Sequence, residues 1–351
     1  MLAITLHDLR YRARQFSIAI VGAGLVFAMA LLLTGLAASF SAEVDRTIGA
    51  IGADAYVVPE GTSGPFTSFA AMPATTVDAV AALPGVERAE PLVIVQGSAI
   101  LAEGAKSKLL RLIGHEPGGM GDEAPTTGRR ATAAGEAVAD ERLGAGLGER
   151  FTLAGHEFTV VGVVHGRTLL GGGPNVYVSV ADAQATVFER QPLVTTVITR
   201  GVPRSLPEGL AALSADEVRA DTLRVMKDAT ASVENSRALM WVVAAVIVAA
   251  LVYVSTLERL RDFAVLKSLG SSSAAVFASV AVQAVLVALA AGALAAVTAR
   301  WLKPIFALPL AIPTSAYVVL PIIAVVVGLL ASLVALRRAL SIDPSQAFAG
   351  A

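Results

Sequence analysis

Hydrophobic and polar positions fall into two regimes along this chain. Four stretches contain no charged residue: 28 residues between Arg14 and Glu43, 20 between Arg237 and Glu258, 32 between Lys267 and Arg300, and 33 between Lys303 and Arg337. A helix that crosses a bilayer needs about 20 apolar residues, so each stretch holds one span. The spans are placed at residues 16–38, 238–257, 273–297 and 317–336. Arg10, Arg12 and Arg14 ahead of the first span, with Ala37, Ala38 and Ser39 behind it, also describe a secretory leader. The apolar core of a leader is only about 7–15 residues long, whereas this run is about 23 and can cross, so it reads as an uncleaved anchor.

The second regime fills residues 39–237. Short β-branched runs at 55–59 (AYVVP), 92–96 (LVIVQ), 158–164 (FTVVGVV) and 176–180 (VYVSV) predict strands. Gly155-His156 falls between 151–153 and 158–161, as a hairpin turn would. Residues 76–83, 137–143 and 181–189 predict short helices; Pro84-Gly85 stops the first, and Ser179 caps the last. Residues 221–236 are polar and lack Pro and Gly, which predicts a helix running into the second span. With residues 41–48 it makes a pair of stalks. The fold class is therefore an α-helical membrane protein with four transmembrane helices and a mixed α+β extracytoplasmic domain between helices 1 and 2.

Composition agrees. The 351 residues are 55% hydrophobic and 16% charged, with a mean hydropathy of +0.69, against about 25% charged in ordinary globular proteins. There is no cysteine, which excludes disulfides, thiolate metal sites and a cysteine nucleophile. The net charge of −1 hides an asymmetry: residues 43–237 carry 17 Lys/Arg and 24 Asp/Glu, a net of −7, and the rest carries +6. Nothing in that balance favours nucleic acid. Lys and Arg collect on the cytoplasmic side of short membrane flanks. Arg10, Arg12, Arg14, Arg259, Arg261, Lys267, Arg337 and Arg338 lie on one side, and only Arg300 and Lys303 on the other. Both termini are thus expected in the cytoplasm and the large domain outside it. The resulting layout is a cytoplasmic segment (1–15), the first span, an extracytoplasmic domain with stalks (39–237), the second span, a cytoplasmic helix (258–272), the third span, a short outer loop (298–316), the fourth span and a cytoplasmic tail (337–351).

The most informative segment is 258–273 (ERLRDFAVLKSLGSSS). Glu258, Arg259, Arg261 and Asp262 crowd one turn, and Leu260, Phe263, Ala264 and Leu266 form an apolar stripe at helical spacing. Gly270 suits a helix stop. A bare connector needs only a few polar residues, so a full amphipathic helix is either a docking element or a solvated link between spans. Glu258, Arg259, Arg261, Val265, Leu266, Lys267, Leu269 and Gly270 resemble the "ER…RE…VLK.LG" signature of FtsX/MacB-like permeases, the transmembrane subunits of type VII ABC systems. Arg337, Arg338, Ile342, Asp343 and Pro344 are similar to that family's terminal "R…R…DP". Pro84-Gly85-Val86, Pro91-Leu92-Val93 and residues 158–163 resemble its MacB-like periplasmic core.

The resemblance implies a homodimer served by a separate ABC ATPase that binds ATP and Mg, with no cofactor on this chain. No G-x-x-x-x-G-K-[ST] occurs here, nor any Gly-Lys pair, so the phosphate-cradling loop belongs elsewhere. The family's coupling helix maps onto Glu258, Arg259, Arg261, Phe263, Leu266, Lys267 and Gly270, with Arg337, Arg338 and Asp343 as tail contacts. No catalytic residue carries over. The expected function is ATP-driven ectodomain motion that extrudes an amphiphilic or lipid-like substrate. The alternatives are mechanotransmission to an extracellular cell-wall hydrolase and, less favoured, permeation of an amino acid such as glutamine. Partners beyond the ATPase are membrane lipids and a cell-envelope protein or amphiphile at the ectodomain.

Other signals stay bland. His7, His115, His156 and His165 lack metal-ligand spacing and read as surface or turn residues. Gly171–Gly173 is either an anion cradle or, as favoured here, a flexible tip between strands. The uncharged tract 64–72, with Phe66 and Phe69, either packs on the ectodomain or contacts a lipid or partner. Gly22, Gly24 and Ala28 permit close helix approach and mildly favour dimerisation. No span contains a charged residue, which argues against an ion-coupled transporter.

Overall fold

The computed structural model describes residues 13–101, 107–258, 265, 272–303 and 310–340. In chain order, a long helix α1 (Ala13–Ile51) leads into strand β1 (Ala55–Pro59), β2 (Met72–Pro73), helix α2 (Thr76–Ala81), β3 (Arg88–Ile100) and β4 (Lys108–His115). Then come β5 (Thr127–Gly128), β6 (Glu136–Asp140), a 3-10 turn (Glu141–Leu143), β7 (Arg150–Leu153), β8 (His156–Val164), β9 (Thr168–Leu169) and β10 (Gly173–Ser179). Helix α3 (Val180–Phe188), β11 (Leu193–Val194), β12 (Thr196–Arg200), β13 (Leu210–Ser214) and helix α4 (Ala215–Val225) complete the β-rich part. Three helices follow: α5 (Lys227–Glu258), α6 (Ser273–Leu302) and α7 (Thr314–Leu340). Cα proximity divides the chain into two units, Phe40–Asp228 and the remainder on either side of it.

Within Phe40–Asp228 eleven strands form one sheet, nine of them in the order β13-β1-β12-β3-β4-β10-β6-β8-β5 with β7 and β9 off this path, and β11 pairs with β2 apart from it. The ladder also closes on itself, because β7 pairs with β8 and with the end of β3 (Ala99 opposite Leu153). Closure removes free edges from that half of the sheet. One apolar cluster includes Leu110, Leu112, Phe151, Leu153, Phe158, Val176 and Val178; Phe151 and Phe158 stack with centroids 5.4 Å apart. Side chains alternate along β10, so Tyr177 turns to a second cluster with Tyr56, Leu92, Ile113 and Ile198. Val44, Ile48 and Ile51 from the end of α1 join this second cluster, and Gly52, at φ 66°, caps the helix there by donating its N–H to the Ile48 carbonyl at 3.2 Å.

Several expectations hold residue for residue: β1 spans 55–59, and Ser179 caps α3 by accepting from the Asp182 N–H at 3.0 Å. Others are corrected. Residues 137–143 are not an α-helix but the strand β6 followed by the 3-10 turn. β6 sits between β10 and β8, with Ala137 and Ala139 fully buried, so sheet pairing overrides helix-forming composition. The hairpin turn is Ala154-Gly155, both with positive φ, the geometry of a two-residue primed turn; His156 already belongs to β8. The 221–236 helix is broken at Met226 into α4 and α5. His115 is not a surface residue: it is buried at the end of β4, edge-on to Tyr177 at 6.4 Å.

The other unit contains four helices long and apolar enough to cross a membrane: α1, α5, α6 and α7. Its core is built on small side chains, with Ala23, Ala28, Ala244, Ala284, Ala288 and Ala324 all buried, and Phe27 against Trp241 at 5.4 Å. Outward positions are apolar too, among them Ile18, Val246 and Val318, as a lipid-facing surface requires. Gly24, read as permitting close helix approach, meets Leu294 and Ala291 of α6 in the same chain. Buried polar groups on the described spans include Gln283, which donates to Ser255 at 3.2 Å, and Ser39; outside Phe40–Asp228, no described buried residue carries a charged side chain.

Candidate functional site

Two regions bear on function. The first is the segment that follows α5. Glu258 is its last helical residue and is exposed. Arg259, Arg261, Phe263, Leu266, Lys267 and Gly270 lie outside the described residues, as does Asp343. Arg337 and Arg338 fall on α7, but their side chains also lie outside what is described.

The second region is where the end of α1 meets the β9–β10 hairpin, and sequence reasoning missed it. Glu43 is the charged residue that closes the first apolar stretch. Its carboxylate is fully buried. A buried carboxylate is costly unless hydrogen bonds replace its water, and three donors do so. Thr168 Oγ1 donates to Oε1 at 2.6 Å, and the N–H groups of Gly171 and Gly172 donate to Oε2 at 3.1 and 3.3 Å. Leu170, Gly171 and Gly172 all have positive φ (53°, 87° and 90°). Successive amides in such a turn form an anion-binding concavity. The glycine run that read as a flexible tip is therefore an anion cradle, and the anion is the chain's own.

The next turns of α1 extend the attachment. Thr47 Oγ1 donates to the Thr168 carbonyl and accepts from Asn175 Nδ2, both at 3.3 Å. Arg167 donates to the Arg46 carbonyl at 3.5 Å and to Glu123 at 2.8 Å. Asp45 pairs with Arg219 of α4 at 2.5 Å on an exposed face, a bond of small net worth that nonetheless ties the two stalks. Two signals in the sequence point here: a carboxylate directly after an apolar run, and three consecutive glycines.

The 64–72 tract divides. Phe66 is buried beneath the guanidinium of Arg111, 5.9 Å from the ring centroid, and burial pushes that guanidinium down to about 10. Phe69 is 64% exposed and stacks on Phe188 at 6.0 Å. Among the described residues no group of three or more His, Cys, Asp or Glu could hold a metal ion.

A MacB-like periplasmic core domain matches residues 17–224, and an FtsX-like permease C-terminal domain matches residues 238–344. The chain is 37% identical to the ABC transporter permease Rv0072 of Mycobacterium tuberculosis (strain ATCC 25618 / H37Rv) over 350 residues, covering 100% of both. It belongs to the MacB/FtsX-like ABC transporter permeases. The same identity and coverage relate this permease to Mb2592 of Mycobacterium bovis, also named an ABC transporter permease. Among solved structures it is similar to the periplasmic region of MacB from Actinobacillus actinomycetemcomitans (13% identity, TM-score 0.35, 50% of this chain and 96% of that one). It is also similar to the extracellular domain of YknZ from Gram-positive bacteria (16% identity, TM-score 0.32, 50% and 92%). The permease is thus a membrane protein whose MacB-like extracytoplasmic domain is inserted between its first and second membrane helices.

Proposed function

We propose that this permease converts ATP hydrolysis on a separate ABC ATPase into motion of its extracytoplasmic domain, and that the motion extrudes an amphiphilic or lipid-like substrate. In this reading two copies assemble with the ATPase, which holds ATP and Mg, and both termini are cytoplasmic. Residues 258–270 dock on the ATPase, with Arg337, Arg338 and Asp343 beside them.

The observation that carries the reading is α1. It is one helix of 39 residues, about 58 Å long at 1.5 Å per residue, against a hydrocarbon core of about 30 Å. Its residues through Ser39 belong to the membrane unit, and those from Phe40 to the extracytoplasmic one. In this reading that helix is the element through which a displacement passes from one region to the other. Mechanotransmission to an envelope partner is the second reading. The alanine-lined packing of α6 on α7, with Gly328 against the Val285 backbone, favours it by leaving little room for a polar path inside one chain.

The test of docking is Arg259→Glu combined with Arg261→Glu in the full-length protein. The ATPase is expected to stop co-purifying while membrane insertion stays normal; undiminished co-purification overturns the docking role.

A further inference from the structure

We propose that Glu43 is the positioning residue through which α1 moves the extracytoplasmic domain: a carboxylate seated in the Leu170-Gly171-Gly172 cradle fixes both the rotation and the axial position of the helix against the sheet. The inference rests on the reading above, that α1 transmits motion, and names the joint where it does so.

Four observations support a mechanical role over a merely stabilising one. The first is that Val44 and Ile48, which flank Glu43 on the buried side of α1, already pack into the apolar core. An apolar residue at 43 would satisfy that packing without burying an ion, and buried ions are often no better than apolar residues for stability. Apolar contact, secondly, is non-directional: a helix held only by Val44, Ile48 and Ile51 can creep or turn while keeping most of its burial. Hydrogen bonds weaken steeply with misalignment, and a carboxylate gripped by three donors resists pulling, pushing and twisting alike.

The third observation is that the cradle holds a leucine at φ 53°, a conformation costly for a branched side chain. Strain of this kind persists only where the surroundings enforce it. Lastly, Thr47, one turn further along α1, bonds to Thr168 and Asn175, so the same hairpin is gripped at two heights.

The experiment uses the full-length permease with its ATPase in lipid nanodiscs. Hydrogen exchange of the extracytoplasmic domain is compared between nucleotide-free and ATP–vanadate-trapped complexes, and ATP hydrolysis is followed in parallel. Wild type is expected to show nucleotide-dependent exchange in the domain. If it shows none, the transmission reading itself fails. In Glu43→Ala, exchange at the Gly171 and Gly172 amides is expected to rise about tenfold or more, since charge-assisted bonds are lost. Hydrolysis should continue while the domain's nucleotide response disappears. If the variant keeps the wild-type response, the assignment of Glu43 is overturned while the transmission reading stands.

Thr168→Val supplies a milder perturbation in case Glu43→Ala unfolds the domain. It removes one donor and should reduce the nucleotide response, whereas Thr168→Ser should restore it. A response that tracks only the melting temperature across these variants, with no rescue by serine, also overturns the proposal.

Discussion

Single carboxylates in this domain behave according to what surrounds them, and Glu136 gives the clearest case. The Arg129 guanidinium, followed by the Thr132 and Ala133 amides, holds its carboxyl well down, from an ordinary 4.5 to about 2. Asp140 goes the other way: burial raises it even though the Arg142 and Arg167 amides donate to it. The sign for Glu136 follows from linkage. Its folded-state value lies below its unfolded one, so its contribution to stability is complete above about 4.5 and is lost as pH falls through about 2. Glu136→Gln is therefore expected to melt below wild type at pH 6, with the gap closing as the pH is lowered from 4.5 towards 2. Melting curves of full-length protein in detergent at stepped pH measure this, and a gap that stays constant contradicts it. The pair is exposed, so the gap at pH 6 is small.

Elements in the membrane unit are set by how closely backbones approach. At Gly328 of α7, an added Cβ would sit 2.8 Å from the Val285 Cα and 2.9 Å from its nitrogen on α6. Both are backbone atoms, so neither can swing aside. Gly22 of α1 has nothing within 4 Å of the same position. Alanine is favoured over glycine in a helix by about 1 kcal/mol, so Gly22→Ala should be neutral or slightly stabilising. Gly328→Ala should instead lower the unfolding midpoint by forcing α6 and α7 apart, and equal midpoints for the two variants would refute the close-contact account. Nothing in the sequence separates these two glycines, because both sit in apolar runs rich in small residues. The same limit explains β6: residues 136–140 (EAVAD) have helix-forming composition, and only pairing with β8 and β10 makes them a strand. Where the local signal and the fold agree, as for β1 and the Ser179 cap, the elements were legible. The Glu43 cradle was not, since its partners lie 125 to 129 residues away and a carboxylate behind an apolar run reads first as the end of a span.

At the scale of the whole chain, the sequence exposes the division of labour better than any single site. Charge-free stretches place four helices, and the acidic interval between the first two marks the inserted domain. The family resemblance of residues 258–270 was legible as a motif, whereas the packing of the end of α1 on the β9–β10 hairpin emerges only in three dimensions. That packing also sets where the domain can be cut. Phe40–Asp228 carries both β-domain apolar clusters, the closed strand ladder and every partner of Glu43. It has no cysteine, so no disulfide is needed in either redox state. At 189 residues it lies within the size range at which a domain buries roughly 70% of its unfolded surface and folds alone. The excised fragment is therefore expected to be soluble and to unfold cooperatively in reducing buffer. A fragment begun after Glu43, at Val44, keeps the apolar face of α1 but leaves the cradle empty, and should melt lower. If the longer fragment is unfolded, the domain depends on the membrane helices for its stability. If both fragments melt together, the carboxylate contributes nothing to holding the helix stub, and the cradle is occupied without consequence.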